Sequence, residues 1–520
     1  MENVLNYNPN QRLNYSAEQL RLPLDLSVKI EKSDPMWSFL EIVREVNINK
    51  YLKAHRGNKG HDGRRMMTVV LFAFMNGVYS LRAIAERCRT DIRFMYLCKE
   101  EAPSHMAFQR FITKRLKKNI SEIFTEITEI ISDKMKINTR ILYIDGTALE
   151  ANAAKFSFVW KKTCEKSLLK NRERARETLD ELEKRTQLNY GYNDLNPEHI
   201  EEYENRILSQ CSRQEIEFVY GKGKRKTIIQ RLYDKLKEYR QKISECTEKI
   251  EICGKERNSY SKTDNDATFM HMKYDYYMNT GVFKPGYNLQ IGVSDGIIRH
   301  IRVGQDRTDS RTYIPFMEGY NARYGDYPGI TVADAGYGSY ENYMYNIIHK
   351  TDSYIKYGNY RNEKTAKYKK QKFVSGNLLH EENGEYYCPN NKKFVYQKDT
   401  VNETRRYPEI SQVYECEDCS GCPYRSQCTK AKGNRQFQKN VILEEMKADA
   451  KEKLDSASGI QLRQQRSIQA EGTFGVIKED WKYARIHRRG LENVENEICL
   501  VCIGFNLMKY HRRKLEKTMN

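Results

Sequence analysis

The sequence predicts an α/β protein assembled from several modules, and three observations carry that prediction. At 520 residues the chain exceeds what one compact core holds, so two to four folding units are expected. Ahead of residue 135 the apolar periodicity is helical only, with no clear strand. From residue 140 onward, β-rich apolar runs alternate with helical patterns in the order strand, hairpin, strand, helix, strand, which builds an α/β sheet. With 39% hydrophobic and 11% aromatic residues the chain can bury real cores, and with 31% charged residues it keeps a heavily solvated surface, so disorder is not the default.

The first module, 1–135, reads as helices. A run from Arg64 to Met75 leads through Asn76-Gly77 to Ser80, which can cap a second run, SLRAIAERCRTDIRFMYL, and a third begins near Ser104. Arg and Lys on their outer faces suit a helix-turn-helix arrangement lying along a nucleic-acid groove. An all-helical packing domain with solvated charges fits the same pattern.

A sheet-bearing module is expected over 136–160 and 263–360. RILYIDG reads as a buried strand ending in the turn Asp145-Gly146, and Ser294-Asp295-Gly296 joins two alternating runs as a hairpin. GITVADAGYGS ends an apolar run in Asp334. Between the two parts, 161–262 is charged and helical. There Ile229, Leu232, Leu236, Tyr239, Ile243, Cys246 and Ile250 recur by threes and fours, the seam of a helical hairpin or short coiled coil with a packing or dimer-contact role. A cysteine-rich insertion follows over 361–440, and 441–520 is a helical tail with a break near Gly490.

Charge narrows the partners. Lys and Arg number 89 against 70 acids, net +19, which suits a polyanion such as nucleic acid. The longest apolar stretch, around Met67 to Val78, falls short of the roughly 20 residues a bilayer span needs, so it is expected as a buried helix and no membrane partner is expected. The opening MENVLNYNPNQ has neither a basic start nor an apolar signal core, so a cytoplasmic protein is expected, its 13 cysteines mostly reduced.

The acids point to chemistry. Asp145 in YIDG and Asp334 in VADAG each end an apolar strand just before a small-residue turn, and strand ends of open α/β sheets face a crevice. A carboxylate pair there can hold a hard cation such as Mg2+, which prefers oxygen ligands. Glu471 stands among Arg463, Arg466, Lys478, Arg485, Arg488 and Arg489. Lys478 follows it by two helical turns and so shares its face. An acid to complete a metal site and cations to grip a phosphate backbone meet the needs of phosphoryl chemistry.

YIDGTALEANA, TDNDATFM with KPGYNLQIGV, TVADAGYGSYENY and AEGTFGVIKE, in this order, resemble the DDE transposases of bacterial insertion sequences. The resemblance spans nearly the whole chain. It implies an RNase H-like fold, catalytic and metal-holding roles for Asp145, Asp334 and Glu471 with two Mg2+ (or Mn2+), and binding to the inverted repeats at the element's ends and to target DNA. The chemistry it implies is hydrolysis of a phosphodiester to free a 3′-hydroxyl, then attack of that hydroxyl on target DNA. A homodimer is expected as the working form. Lys478, Arg463, Arg466, Arg485 and Arg488 are the DNA-contact candidates. One departure stands out: the family often carries Tyr and Arg seven and four residues before the Glu, whereas Gln464 and Ser467 occupy those places, with Arg463 and Arg466 one position off.

Five cysteines gather between 388 and 428. In CEDCSGCPYRSQC the two-residue gaps are those of a knuckle that directs thiolates at one zinc. Cys419, Cys422 and Cys428 are the expected ligands of a structural Zn2+, with Cys388 or Cys416 as the fourth; the family resemblance favours Cys388. Two rival functions remain, a DNA-binding regulator without catalysis and an RNase H-like nuclease that cuts without joining.

Overall fold

The computed structural model describes residues 26–52, 61–99, 101–272, 282–380 and 384–519. The opening segment read for export signals lies outside them. The described part of the N-terminal region is helical, with helices at Pro35–Glu45, Gly63–Met75, Leu81–Thr90, Ile92–Cys98, His105–Phe111 and Ile120–Met135. The run after Ser80 is two helices rather than one. It breaks at Asp91, whose carboxylate accepts the Arg93 N–H at 3.0 Å and so caps a new helix in place of continuing the old. The third begins after Ser104 as expected, with Ser104 Oγ accepting the Ala107 N–H at 3.2 Å, whereas Ser80 precedes the second helix without a side-chain cap hydrogen bond.

Eight strands follow: β1 (Ile141–Glu150), β2 (Phe158–Trp160), β3 (Ser259–Ser261), β4 (Thr268–Met272), β5 (Val282–Ser294), β6 (Ile297–Gly304), β7 (Ile330–Ala333) and β8 (Asp352–Ile355). The main sheet runs β4–β5–β1–β7–β8, with β6 paired to β5. β1 is antiparallel to β5 and parallel to β7, and β7 is parallel to β8. The turn between β5 and β6 has positive φ at both Asp295 (46°) and Gly296 (74°), the twist-matched hairpin turn that Asp-Gly favours. A helix at Tyr313–Tyr324, absent from the strand-by-strand reading of the sequence, joins β6 to β7.

β1 does not stop at Asp145-Gly146. It continues to Glu150 because β5 supplies antiparallel partners as far as Gly286. The parallel pairing with β7 does end early, at Tyr143 with Val332.

Two apolar bodies sandwich the sheet. The larger joins the N-terminal helices, β5, β6 and the long C-terminal helix Leu491–Met519 in one core. At Gly504 that helix lies against Gly63–Met75 so closely that a Cβ would stand 2.7 Å from the Phe74 carbonyl carbon. The second body packs Leu142 and Ile144 of β1 against Tyr313, Phe316, Tyr337 and Ile355.

The charged 161–262 stretch contains three helices, Lys161–Thr186, Pro197–Arg213 and Ile228–Cys253, not a two-helix hairpin. The seam residues Leu232, Leu236 and Ile243 are buried against Leu179, Leu182, Tyr203 and Ile207 of the same chain, so this apolar stripe is consumed by intrachain packing. The cysteine-rich stretch forms its own antiparallel sheet from β9 (Leu379–His380), β10 (Tyr386–Tyr387), β11 (Lys393–Asn402), β12 (Glu409–Cys416) and β13 (Gln436–Lys439). Met67 and Val69–Met75 are buried in the N-terminal core, and no helix among the described residues is long and apolar enough to cross a membrane.

Candidate functional site

Strand alternation and register bring the two aspartates together. Tyr143 and Val332 are the last parallel pair of β1 and β7. Two residues further on each strand stand Asp145 and Asp334, on the face that Tyr143 and Val332 share with Ala470 and Leu462. That face is covered by the helix Ala457–Arg466 and the π-helical turn Ser467–Glu471, so the third acid arrives on an element packed through Ala470 onto the same strands.

Arg466 stands among these acids. Its guanidinium Nη1 lies 3.3 Å from Asp145 Oδ1, and its Nη2 donates to Glu471 Oε1. Its side chain is only 7% exposed, and that of Asp145 14%, whereas Glu471 is 52% exposed and borders solvent. Burial pushes the Asp145 carboxyl up to about 6; Arg466 opposes that shift, while Asp334 and Glu471 add to it. The influence of both other acids on Asp145 places all three in one electrostatic neighbourhood.

The turn between Arg466 and Glu471 accounts for the displaced arginine. In an α-helix, residues five apart point about 140° away from each other. A π turn closes i to i+5 and returns them to one side. The extra residue relative to the family spacing is absorbed by this turn, and Arg466 meets Glu471 across five positions.

Asp334 caps the short turn Ala335–Tyr337, its Oδ1 accepting the Gly336 N–H at 2.8 Å. A Cβ at Gly336 would stand 3.0 Å from Asp334 Oδ1 and 3.4 Å from Asp309 Oδ2, which brings a fourth carboxylate to the site. Asp309 Oδ1 accepts from Asn288 Nδ2 at 3.1 Å and from Gln290 Nε2 at 3.0 Å, and the Tyr337 hydroxyl donates to Gln290 Oε1. Burial holds the Tyr337 hydroxyl well above its usual range, reinforced by Asp309, Asp145 and Asp334. Sequence reading missed Asp309, which carries no spacing signal. Asn288 and Gln290 did carry one, two polar residues at strand period inside the otherwise apolar GYNLQIGV of β5.

The basic candidates divide. Lys478 reaches β1, donating to Thr147 Oγ1 at 2.5 Å and to the Ala148 carbonyl at 3.2 Å. Arg485 pairs with Glu150 at 3.7 Å at the end of that strand. Arg463 Nε donates to the Gly459 carbonyl and its guanidinium lies over Tyr360. Arg488 is half-buried, and burial pulls its guanidinium below the usual value against the opposing pull of Glu497. Lys356, just past β8, was not anticipated: burial lowers its ammonium, helped by Arg466, Arg463 and Arg361, with Asp334 opposing.

All five clustered cysteines line one small cavity with Arg435. Arg435 donates through its N–H to Cys419 Sγ at 3.4 Å and through Nη1 to Cys428 Sγ at 3.1 Å. Burial and a hydrogen bond with Cys419 push Cys416 up to about 12. Among the described residues no group of three or more His, Cys, Asp or Glu side chains is arranged to hold a metal ion, at the acids or at the thiols. At the acids the physical reason is visible, since the Arg466 guanidinium bridges Asp145 and Glu471.

Residues 24–114 match the family model described as a transposase domain, and residues 387–511 match that described as a transposase DDE domain. The second match includes the cysteine cluster, Glu471 and Lys478, and stops short of Asp145 and Asp334. No curated protein and no solved structure matches the chain. The chain thus matches transposase domain models on both sides of the stretch that bears Asp145 and Asp334, which supports a DDE transposase of an insertion sequence.

Proposed function

We propose that this transposase cuts DNA at the ends of its element and joins the freed 3′-hydroxyl to target DNA, with Asp145, Asp334 and Glu471 as its metal-holding acids. The observation that carries the reading is the placement of Asp145 and Asp334 at matched positions on neighbouring parallel strands, under the helix that brings Glu471. The sheet, in which β5 pairs antiparallel with β1, β4 and β6 and β1 is continued by parallel β7 and β8, has the layout expected of an RNase H-like domain.

The donor chemistry fits divalent cations. Burial raises Asp145, with Asp334 and Glu471 adding to the shift, and a hard cation taking oxygen ligands would offset both. Mg2+ or Mn2+ bound there would supply Lewis acidity and an activated oxygen nucleophile. The protein's own contribution is to bind and orient. Lys478, held on β1 by Thr147 and the Ala148 carbonyl, would offer its charge to a phosphate backbone, while Lys356 lends positive charge beside Asp334. Asn288 and Gln290 keep Asp309 oriented beneath the acids.

At the cysteine cluster, a structural Zn2+ held by Cys388, Cys419, Cys422 and Cys428, with Cys416 as the alternate, is supported by the knuckle spacing and by the one cavity that these residues line.

A strand-transfer assay with a labelled end fragment, target DNA and Mg2+ or Mn2+ tests the reading. Cleaved and joined products are expected from the wild type, and neither from Asp145→Ala or Asp334→Ala, both of which should still bind DNA. Cleavage without joining would favour the nuclease, and binding without cleavage the regulator.

A further inference from the structure

We infer that Arg466 is the resident cation of the metal-free site, and that divalent ions load by displacing its guanidinium from Asp145 and Glu471. The inference rests on the reading of those acids as metal-holding. It begins from burial: the Arg466 side chain is 7% exposed, and its Nε and Nη1 have no hydrogen-bond partner. A guanidinium stays charged under all ordinary conditions, so only neighbouring anions make such burial tolerable. Those anions are Asp145, 3.3 Å from Nη1, and Glu471, on Nη2.

The charged groups around Arg466 sharpen the point. Lys356 past β8 and Arg463 one turn back add positive charge, and Asp334 adds negative charge. A divalent ion drawn to the same carboxylates would repel the guanidinium and take up the oxygens it uses. The two cations therefore compete, and the occupancy of one is linked to the release of the other. The π turn Ser467–Glu471 makes the competition possible, because without it a residue five places before Glu471 would face elsewhere. Released from Asp145, Arg466 remains on the helix that covers the site, a positioning residue that keeps the acids assembled until metal arrives.

Calorimetric Mn2+ titration and thermal unfolding of the wild type, Arg466→Met and Asp145→Asn test this. Arg466→Met is expected to bind Mn2+ at least about fivefold more tightly than the wild type. It should also unfold at lower temperature without metal, with the gap closing as Mn2+ saturates. Equal or weaker Mn2+ affinity in Arg466→Met, with binding lost in Asp145→Asn, overturns the inference and leaves the metal site standing. Wild-type binding no stronger than that of Asp145→Asn removes the metal reading, and this inference with it. If Arg466→Met does not fold, Arg466→Gln decides: it keeps a polar side chain but brings no cation to compete for the carboxylates, so Mn2+ should bind several-fold more tightly, and unchanged affinity overturns the inference.

Discussion

The Lys478 ammonium lies 2.5 Å from the hydroxyl of Thr147, two residues along β1 from Asp145 and on the same face of the strand. This joins the basic helix to the edge of the acidic site. Replacing Lys478 with Met should weaken binding of end DNA about equally across sequences and lower the slope of log affinity against log salt by about one. An unchanged slope would show that Lys478 serves β1 and not the phosphate backbone.

Asp145 sets a pH signature. Its carboxyl is raised from 3.8 to about 6, so between those values the folded protein holds a proton that the unfolded chain releases. Stability of the metal-free protein therefore falls as pH rises through this window, by up to about 3 kcal/mol from this one group. Asp145→Asn lacks the term. Its unfolding free energy, measured against the wild type in EDTA, should gain on the wild type from pH 4 to pH 7, and a flat difference would count against a buried Asp145.

The π turn offers a deletion test. Ile468 is exposed, and removing it lets the segment close as an α-helix with Arg466 four residues before the acid, still on one face. The expected outcome is a folded protein whose melting temperature stays within a few degrees of the wild type and whose cleavage rate stays within about tenfold. Insertion of one alanine at the same place should abolish cleavage. A deletion as damaging as the insertion would refute the register argument.

Zinc bound by the cysteine cluster should be released, one per chain, by a thiol-reactive mercurial and detected with a chromogenic chelator. Cys419→Ser should lose that zinc and about 2 kcal/mol or more of stability. Wild-type protein purified without chelators and found free of zinc would rule the site out.

Much of the acidic face was legible in the chain because strand chemistry is local. YIDG and VADAG announce β-rich runs that end in acids, and SDG specifies its hairpin through the positive φ of two residues. The extent of β1 was not legible, since the residues after Asp145 remain a strand only because β5 pairs with them. The seam at Leu232, Leu236 and Ile243 was visible, but its partner was not: a heptad pattern states that an apolar face must be covered, and the third helix, Pro197–Arg213, helps to cover it. Asp309 was invisible because its place depends on side chains of β5, a distant segment.

The sequence by itself determined which groups this protein can use: acids after strands, a basic helix bearing Glu471, and thiols at knuckle spacing. Only the tertiary structure decided how they meet. Strand register set Asp145 beside Asp334, and a π turn rotated Arg466 onto the face of Glu471. The reason is physical: alternation and helical period are properties of neighbouring residues, whereas the register of two strands and the local winding of a helix are selected by the packing of parts far apart in the chain.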